Sequence, residues 1–95
     1  QFVNRLEANY PNPFNPVTRI RYSIRERGHV SLRIYNAAGQ LVKTLVSDVQ
    51  TPRPDGFEAT WEGRNNAGQE VSSGVYFYKI LTRDFSATKK MVLLK

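Results

Sequence analysis

The amino-acid sequence predicts an all-β chain: an antiparallel β-sandwich of about seven strands. Three observations carry this. Apolar and polar residues alternate with period two along several short stretches, turn-forming clusters of Gly, Pro, Asn and Asp punctuate them, and no stretch has a helical stripe. The 95 residues suffice for one core without metal or disulfide help. Residues 1–8 are expected to be a linker from an upstream domain and residues 9–95 the folded unit. With Gln1 rather than Met at its start, the chain is expected to be a piece of a longer protein, with Lys95 expected as its natural end.

Each element follows in order. Ile20, Tyr22 and Ile24 alternate with Arg19, Arg21 and Ser23, which gives a strand with one apolar face. Val30, Leu32 and Ile34 repeat the pattern, and the turn Glu26-Arg27-Gly28 between the two stretches predicts an antiparallel hairpin. After the turn Asn36-Ala37-Ala38-Gly39, residues 40–46 read as a strand whose imperfect alternation calls for a bulge. Residues 47–56 hold Pro52, Pro54 and a closing Asp55-Gly56, so a crossing loop is expected.

Phe57, Ala59 and Trp61 then alternate with Glu58 and Thr60, and residues 63–68 form a Gly- and Asn-rich hairpin turn. Residues 75–81 are apolar on both sides, which places them inside a sheet. Arg83-Asp84 turns the chain into a last strand over residues 85–94. The pattern as a whole is that of an immunoglobulin-like sandwich closed over Trp61, with Tyr10, Phe14, Ile20, Tyr22, Leu32 and Ile34 in its core.

Composition excludes much chemistry. The absence of cysteine removes disulfides, thiolate-held metals and thiol catalysis. The single histidine, His29, sits at an outward strand position beside a turn, which leaves no base for a nucleophilic triad. Glu58 and Glu62 share one side of an extended segment at about 13 Å, from four steps of ~3.3 Å, too far apart for glycosidase chemistry. Glu62, Asn65, Asn66 and Glu70 surround a loop and offer oxygen ligands suited to calcium, although their spacing misses the EF-hand pattern. No enzymatic activity and no cofactor are expected.

The charge is +6, which favours acidic partners. Arg19, Arg21, Arg25, Arg27 and Arg33 would line the wet face of the first hairpin as a polyanion patch, for example toward anionic lipopolysaccharide. Specific nucleic-acid readout is not expected, because the nearby Tyr22 lies on the buried side. The string Asn9-Tyr10-Pro11-Asn12-Pro13-Phe14-Asn15-Pro16 is biased to extended geometry before each proline, so it needs little ordering to press Tyr10 and Phe14 into the open end of the sandwich.

That string, with Thr18-Arg19-Ile20-Arg21-Tyr22-Ser23-Ile24, Val30-Ser31-Leu32-Arg33-Ile34-Tyr35-Asn36, Gly39-Gln40-Leu41-Val42, Trp61-Glu62-Gly63-Arg64-Asn65, Ser73-Gly74-Val75-Tyr76-Phe77-Tyr78 and Lys89-Lys90-Met91-Val92-Leu93-Leu94-Lys95, closely resembles the C-terminal sorting domain of type IX secretion substrates. That family overlaps the immunoglobulin-like domain of the flagellar hook-capping protein. The resemblance implies a non-catalytic targeting module that sends a secreted or cell-surface parent across the periplasm and outer membrane. Implied partners are the outer-membrane translocon, a sortase-like peptidase and the upstream cargo domain. Carried over by motif, the recognition signal falls on Gly74, Tyr76, Lys90, Met91, Val92, Leu93, Leu94 and Lys95.

A last strand at a sheet edge would also offer unpaired amides to a receptor. The competing readings are a structural or interaction module, of hook-cap type or accessory to an extracellular carbohydrate-active enzyme, and a carbohydrate-binding module. The last is disfavoured, since only Phe77 reads as an outward aromatic.

Overall fold

Alternating apolar residues bury only one side of a strand, so two sheets must close on each other. The computed structural model describes all 95 residues and shows this arrangement. Strands β1 (Arg5–Leu6), β2 (Thr18–Ser23) and β5 (Phe57–Trp61) form a three-stranded sheet in the order β1-β2-β5. Strands β3 (Gly28–Asn36), β4 (Leu41–Gln50), β6 (Gly74–Leu81) and β7 (Ser86–Leu93) form the second sheet, ordered β4-β3-β6-β7. All strand neighbours are antiparallel. The predicted all-β sandwich is therefore what forms.

The core lies where the inward residues of the two sheets meet. Ile20, Tyr22, Phe57 and Trp61 come from the smaller sheet, and Leu32, Ile34, Tyr78, Ile80, Met91 and Leu93 from the larger. Trp61 is 1% exposed, its ring 5.2 Å from Tyr76 in edge-on contact and 5.7 Å from Phe14. Its indole Nε1–H donates to the Arg64 carbonyl at 2.9 Å, so the buried ring leaves no polar atom unpaired. Two phenols tie the sheets together: the Tyr22 hydroxyl donates to Gln50 Oε1 at 2.8 Å and the Tyr78 hydroxyl to the Glu7 carbonyl at 2.7 Å.

Four expectations need correction. Residues 18–24 and 28–34 do not pair as a hairpin; β2 bonds to β1 and β5, β3 to β4 and β6, and the turn at residues 24–27 carries the chain from one sheet to the other. A short glycine-containing turn serves either purpose, and burial of both inner faces against each other decides it. Strand β4 runs on through Gln50, so the crossing loop starts only at Thr51. The bulge expected in this strand appears as register shifts of the β3–β4 ladder, at Leu32/Arg33 and Ile34/Tyr35.

The linker reading of residues 1–8 gives way at Asn4. Leu6 is buried and paired with Tyr22, Glu7 N–H donates to the Arg21 carbonyl, and Asn4 Oδ1 accepts from Arg25 N–H. Tyr10, expected in the core, is 78% exposed. It pairs with the outward-facing Arg19, and successive residues face opposite ways, so Asn9 points inward in its place. Asn9 Nδ2–H donates to Thr18 Oγ1 at 3.0 Å, and the Thr18 hydroxyl donates to the Pro11 carbonyl at 2.9 Å.

Candidate functional site

The segment at residues 90–95 is built from the strand period outward. As the edge strand β7 lies against β6, alternate residues turn in: Met91 and Leu93 are fully buried. Lys90 and Leu94 turn out, Leu94 with half its surface exposed, and Val92 is half-buried between them. The same rule places Tyr76 inside, against Trp61, with its hydroxyl donating to the Ser72 carbonyl at 2.6 Å. Of the eight residues assigned to a recognition signal, Tyr76, Met91 and Leu93 thus hold the core. Lys90, Leu94 and Lys95 are the ones whose side chains stay exposed. Gly74 sits at φ 151° with nothing near its missing side chain, so its backbone conformation, not space, calls for glycine there.

The edge amides at the end of β7 are not free. Phe14 N–H donates to the Val92 carbonyl at 3.0 Å and Leu94 N–H to the Phe14 carbonyl at 2.9 Å, a short parallel bridge. Val92 N–H donates to Asn12 Oδ1 at 3.0 Å. Phe14 meanwhile plugs the sandwich at 2% exposure, as its position in the sequence predicts. The proline-rich string is therefore a strap across the last strand. Beyond it, Lys95 N–H donates to Ser73 Oγ at 3.2 Å and its ammonium lies 3.5 Å from Glu70. The edge that stays open lies earlier in β7: Thr88 and Lys90, in phase with Val92, direct their backbone groups away from β6 and enter no bond outside the ladder.

The opposite edge of the same sheet is closed in the same way. Thr44 N–H donates to Asn66 Oδ1 at 3.1 Å, and Asn66 N–H to the Val42 carbonyl at 2.9 Å. One asparagine on each side thus caps a sheet edge. The sequence places Asn12 in the extended proline-rich string and Asn66 among the turn and calcium-ligand candidates, and neither reading reveals the cap, because the amides they bind lie far off along the chain.

The five arginines do not form one patch. Arg19 and Arg21 lie on the outer face of the small sheet and share Glu58, at 3.3 and 3.2 Å. Arg21 also donates to the Asp55 carbonyl at 2.7 Å. Arg25 is paired with Asp84 and flanked by Glu26, and Arg27 donates to Thr51 Oγ1 at 3.4 Å. Arg33 sits on the other sheet altogether. The expected polyanion patch does not form as one surface, because Arg19 and Arg21 lie on one sheet, Arg33 on the other and Arg25 and Arg27 in the connection between them, and Glu58 offsets one of the two charges that stay together. Desolvation pushes the Asp84 carboxyl up, but the Arg25 hydrogen bond and charge outweigh it and hold the group below its usual range. Burial, partly offset by the bonds to Gln50 and from Asn9 N–H respectively, raises the Tyr22 and Tyr78 hydroxyls.

In the loop considered for calcium, Asn65 Oδ1 accepts from Ala67 and Gln69 N–H, Asn66 Oδ1 from Thr44 N–H, and Glu70 faces Arg64 and Lys95. Those oxygens are spent on the fold. His29 is exposed, with Nε2 3.3 Å from the Ser47 hydroxyl. Phe77 is not the only outward aromatic: its cross-strand partner on β3 is Tyr35, also half-buried.

The family model for the secretion system C-terminal sorting domain matches residues 8–94. No curated protein matches the chain. Among solved structures, dimeric latent PorU from Porphyromonas gingivalis superposes with a TM-score of 0.76 at 21% identity, over 99% of this chain and 9% of that one. PorZ, described as an essential bacterial surface component of the type-IX secretion system of the same organism, superposes with a TM-score of 0.64 at 22% identity, over 97% of this chain and 11% of that one. The chain thus spans about a tenth of either protein, and the likeness is one of fold.

Proposed function

The chain belongs to the family of secretion-system C-terminal sorting domains, and we propose that its signal is read from the folded sandwich rather than from an extended peptide. The family places it as the type IX sorting signal that directs the protein carrying it through the outer membrane to the cell surface. The observation that carries the folded reading is the docking of residues 90–95. Met91 and Leu93 are inaccessible, the backbone at Val92 and Leu94 is strapped by Asn12 and Phe14, and Lys90, Leu94 and Lys95 present exposed side chains beside the half-buried Val92. A receptor in the translocon meets those three side chains together with the open edge at Thr88 and Lys90, onto which it can add a strand.

The module itself carries no catalytic part in this reading. A peptidase that separates it from the preceding cargo would act upstream of Asn4, where the chain is not yet tied into the sandwich. The test attaches the chain to a fluorescent reporter in a host with the secretion machinery. The expected result is protease-accessible reporter on the cell surface, and reporter retained in the periplasm would refute the reading. Deleting residues 90–95 is a poor probe, since it removes two core side chains and unfolds the domain along with the signal.

A further inference from the structure

The outward face of the four-stranded sheet combines apolar surface with uncompensated positive charge. By register, Leu41, Tyr35 and Phe77 lie side by side across β4, β3 and β6, and Val75 and Val92 form the next row across β6 and β7. Leu41 is 48% exposed and Val75 38%, and Leu94 continues the line at 52%. On the other flank the row is Arg33, Lys79 and Thr88, with Lys90 beside Phe77. A cavity of about 530 Å³ follows, lined by His29, Ser31, Arg33, Leu81 and Arg83.

The charges on this face have no internal answer. Strands β3, β6 and β7 contain no Asp or Glu, and the one acid of β4, Asp48, lies opposite Val30, whose side chain is buried on the inner face. None of Arg33, Lys79, Arg83 and Lys90 enters an ion pair. The carboxylates at the borders are committed elsewhere, Asp84 to Arg25 and Glu70 to Arg64 and Lys95.

We propose that this face is the docking surface for a protein component of the export route whose own surface is apolar at the centre and acidic at the rim. The aromatic pair Tyr35 and Phe77 supplies a rigid anchor at the middle of the patch, the kind of residue that dominates interface energy. The surrounding cations steer an acidic partner and fix its orientation, and the cavity between Arg33 and Arg83 admits a carboxylate side chain. A second copy of the chain fits poorly, because stacking this face on itself would set Arg33, Lys79 and Lys90 against their own kind. The inference rests on the folded domain being the recognised unit, and it extends the contact from Lys90 and Leu94 across the sheet.

The experiment places a photo-crosslinker in the reporter-linked chain, as Phe77→p-benzoylphenylalanine, with Thr60→p-benzoylphenylalanine on the opposite sheet as control. In the secreting host, light is expected to give a discrete protein adduct at position 77 and none at position 60. The crosslinked peptide is expected to be rich in Asp and Glu. Adduct yield should drop about fivefold or more in the Arg33→Glu/Lys79→Glu background, and fall with added salt. The thermal midpoint of that background should stay unchanged, since both side chains are exposed. Phe77→Ser, on the same outward face though half-buried, should lower surface delivery. An adduct to lipid or to a second copy, a yield indifferent to charge reversal, or delivery of the reporter with no adduct at position 77 overturns the proposal. Absence of both adduct and delivery overturns the sorting reading with it.

Discussion

The two outer faces of the sandwich are built from the same alternation and end up with opposite characters. On the three-stranded sheet, Arg19 and Arg21 flank Glu58 and cancel much of their charge against it. On the four-stranded sheet, Arg33, Lys79 and Lys90 border a patch of Tyr35, Phe77, Val75 and Val92 and meet no carboxylate. The run of arginines in the sequence points to the first face. Topology shifts the uncompensated charge to the second, because β2 and β3 are consecutive in the chain but lie in different sheets. A basic surface is thus a property of the register and of what lies opposite, not of local residue counts.

The change with the largest expected effect removes what both faces share. Trp61→Ala takes out the ring over which the sheets close and should cost about 3–5 kcal/mol in equilibrium denaturation, a large share of the stability of a domain this size. A cost below about 1 kcal/mol would mean that the sheets do not meet at this residue. A smaller effect is expected from Asn12→Ala, which loosens the four-stranded sheet alone. It should cost about 1 kcal/mol and speed amide exchange at Val92 while leaving Ile20, in the three-stranded sheet, unchanged. Equal acceleration at both sites would dissolve the distinction between strap and core.

Glu58→Gln converts the first face into an electrostatic likeness of the second. Because the pairs are exposed, the stability loss should stay within about 0.2–1 kcal/mol, and the chain should bind anionic resin more tightly. Arg33→Gln, which has no partner to lose, should leave stability within about 0.5 kcal/mol of the parent. If the two substitutions cost the same, the difference between the faces is not one of charge pairing.

The smallest effect concerns acid. The Asp84 carboxyl, held below its usual range by Arg25, adds stability that is fully present above the unfolded value near 3.8 and is lost as pH falls through the lower folded value. The denaturation midpoint should therefore drop on acidification below about pH 4, and Asp84→Asn should flatten that part of the curve. An unchanged slope would contradict the assignment.

Much of this was legible before the structure. The inward sets Ile20/Tyr22/Ile24 and Phe57/Trp61 follow from period two, as does the interior place of β6, whose residues are apolar on both sides. Phe14 as a plug was legible as well. What stayed hidden depends on distant partners. The orientation of Tyr10 is set by its pairing with Arg19, which no local pattern reveals. The two residues of β1 are too short for periodicity to register, although Leu6 enters the core. Asn12 and Asn66 carry the same signal as any turn asparagine until the strands they cap are brought alongside. The residues proposed for recognition come from the resemblance, and strand alternation sorts them: Tyr76, Met91 and Leu93 inward, Lys90 and Leu94 outward.

That sorting supplies the most direct test. The triple change Lys90→Glu/Leu94→Ser/Lys95→Gln alters only outward side chains and gives up no more than the exposed Lys95–Glu70 pair, so surface delivery of a linked reporter and the urea midpoint of the chain can be measured on one variant. Delivery is expected to fall by about tenfold or more, worth ~1.4 kcal/mol or more of lost recognition, while the midpoint stays close to the parent value. Delivery equal to the parent's, with the midpoint unchanged, would show that the signal is not read from the outside of the folded domain.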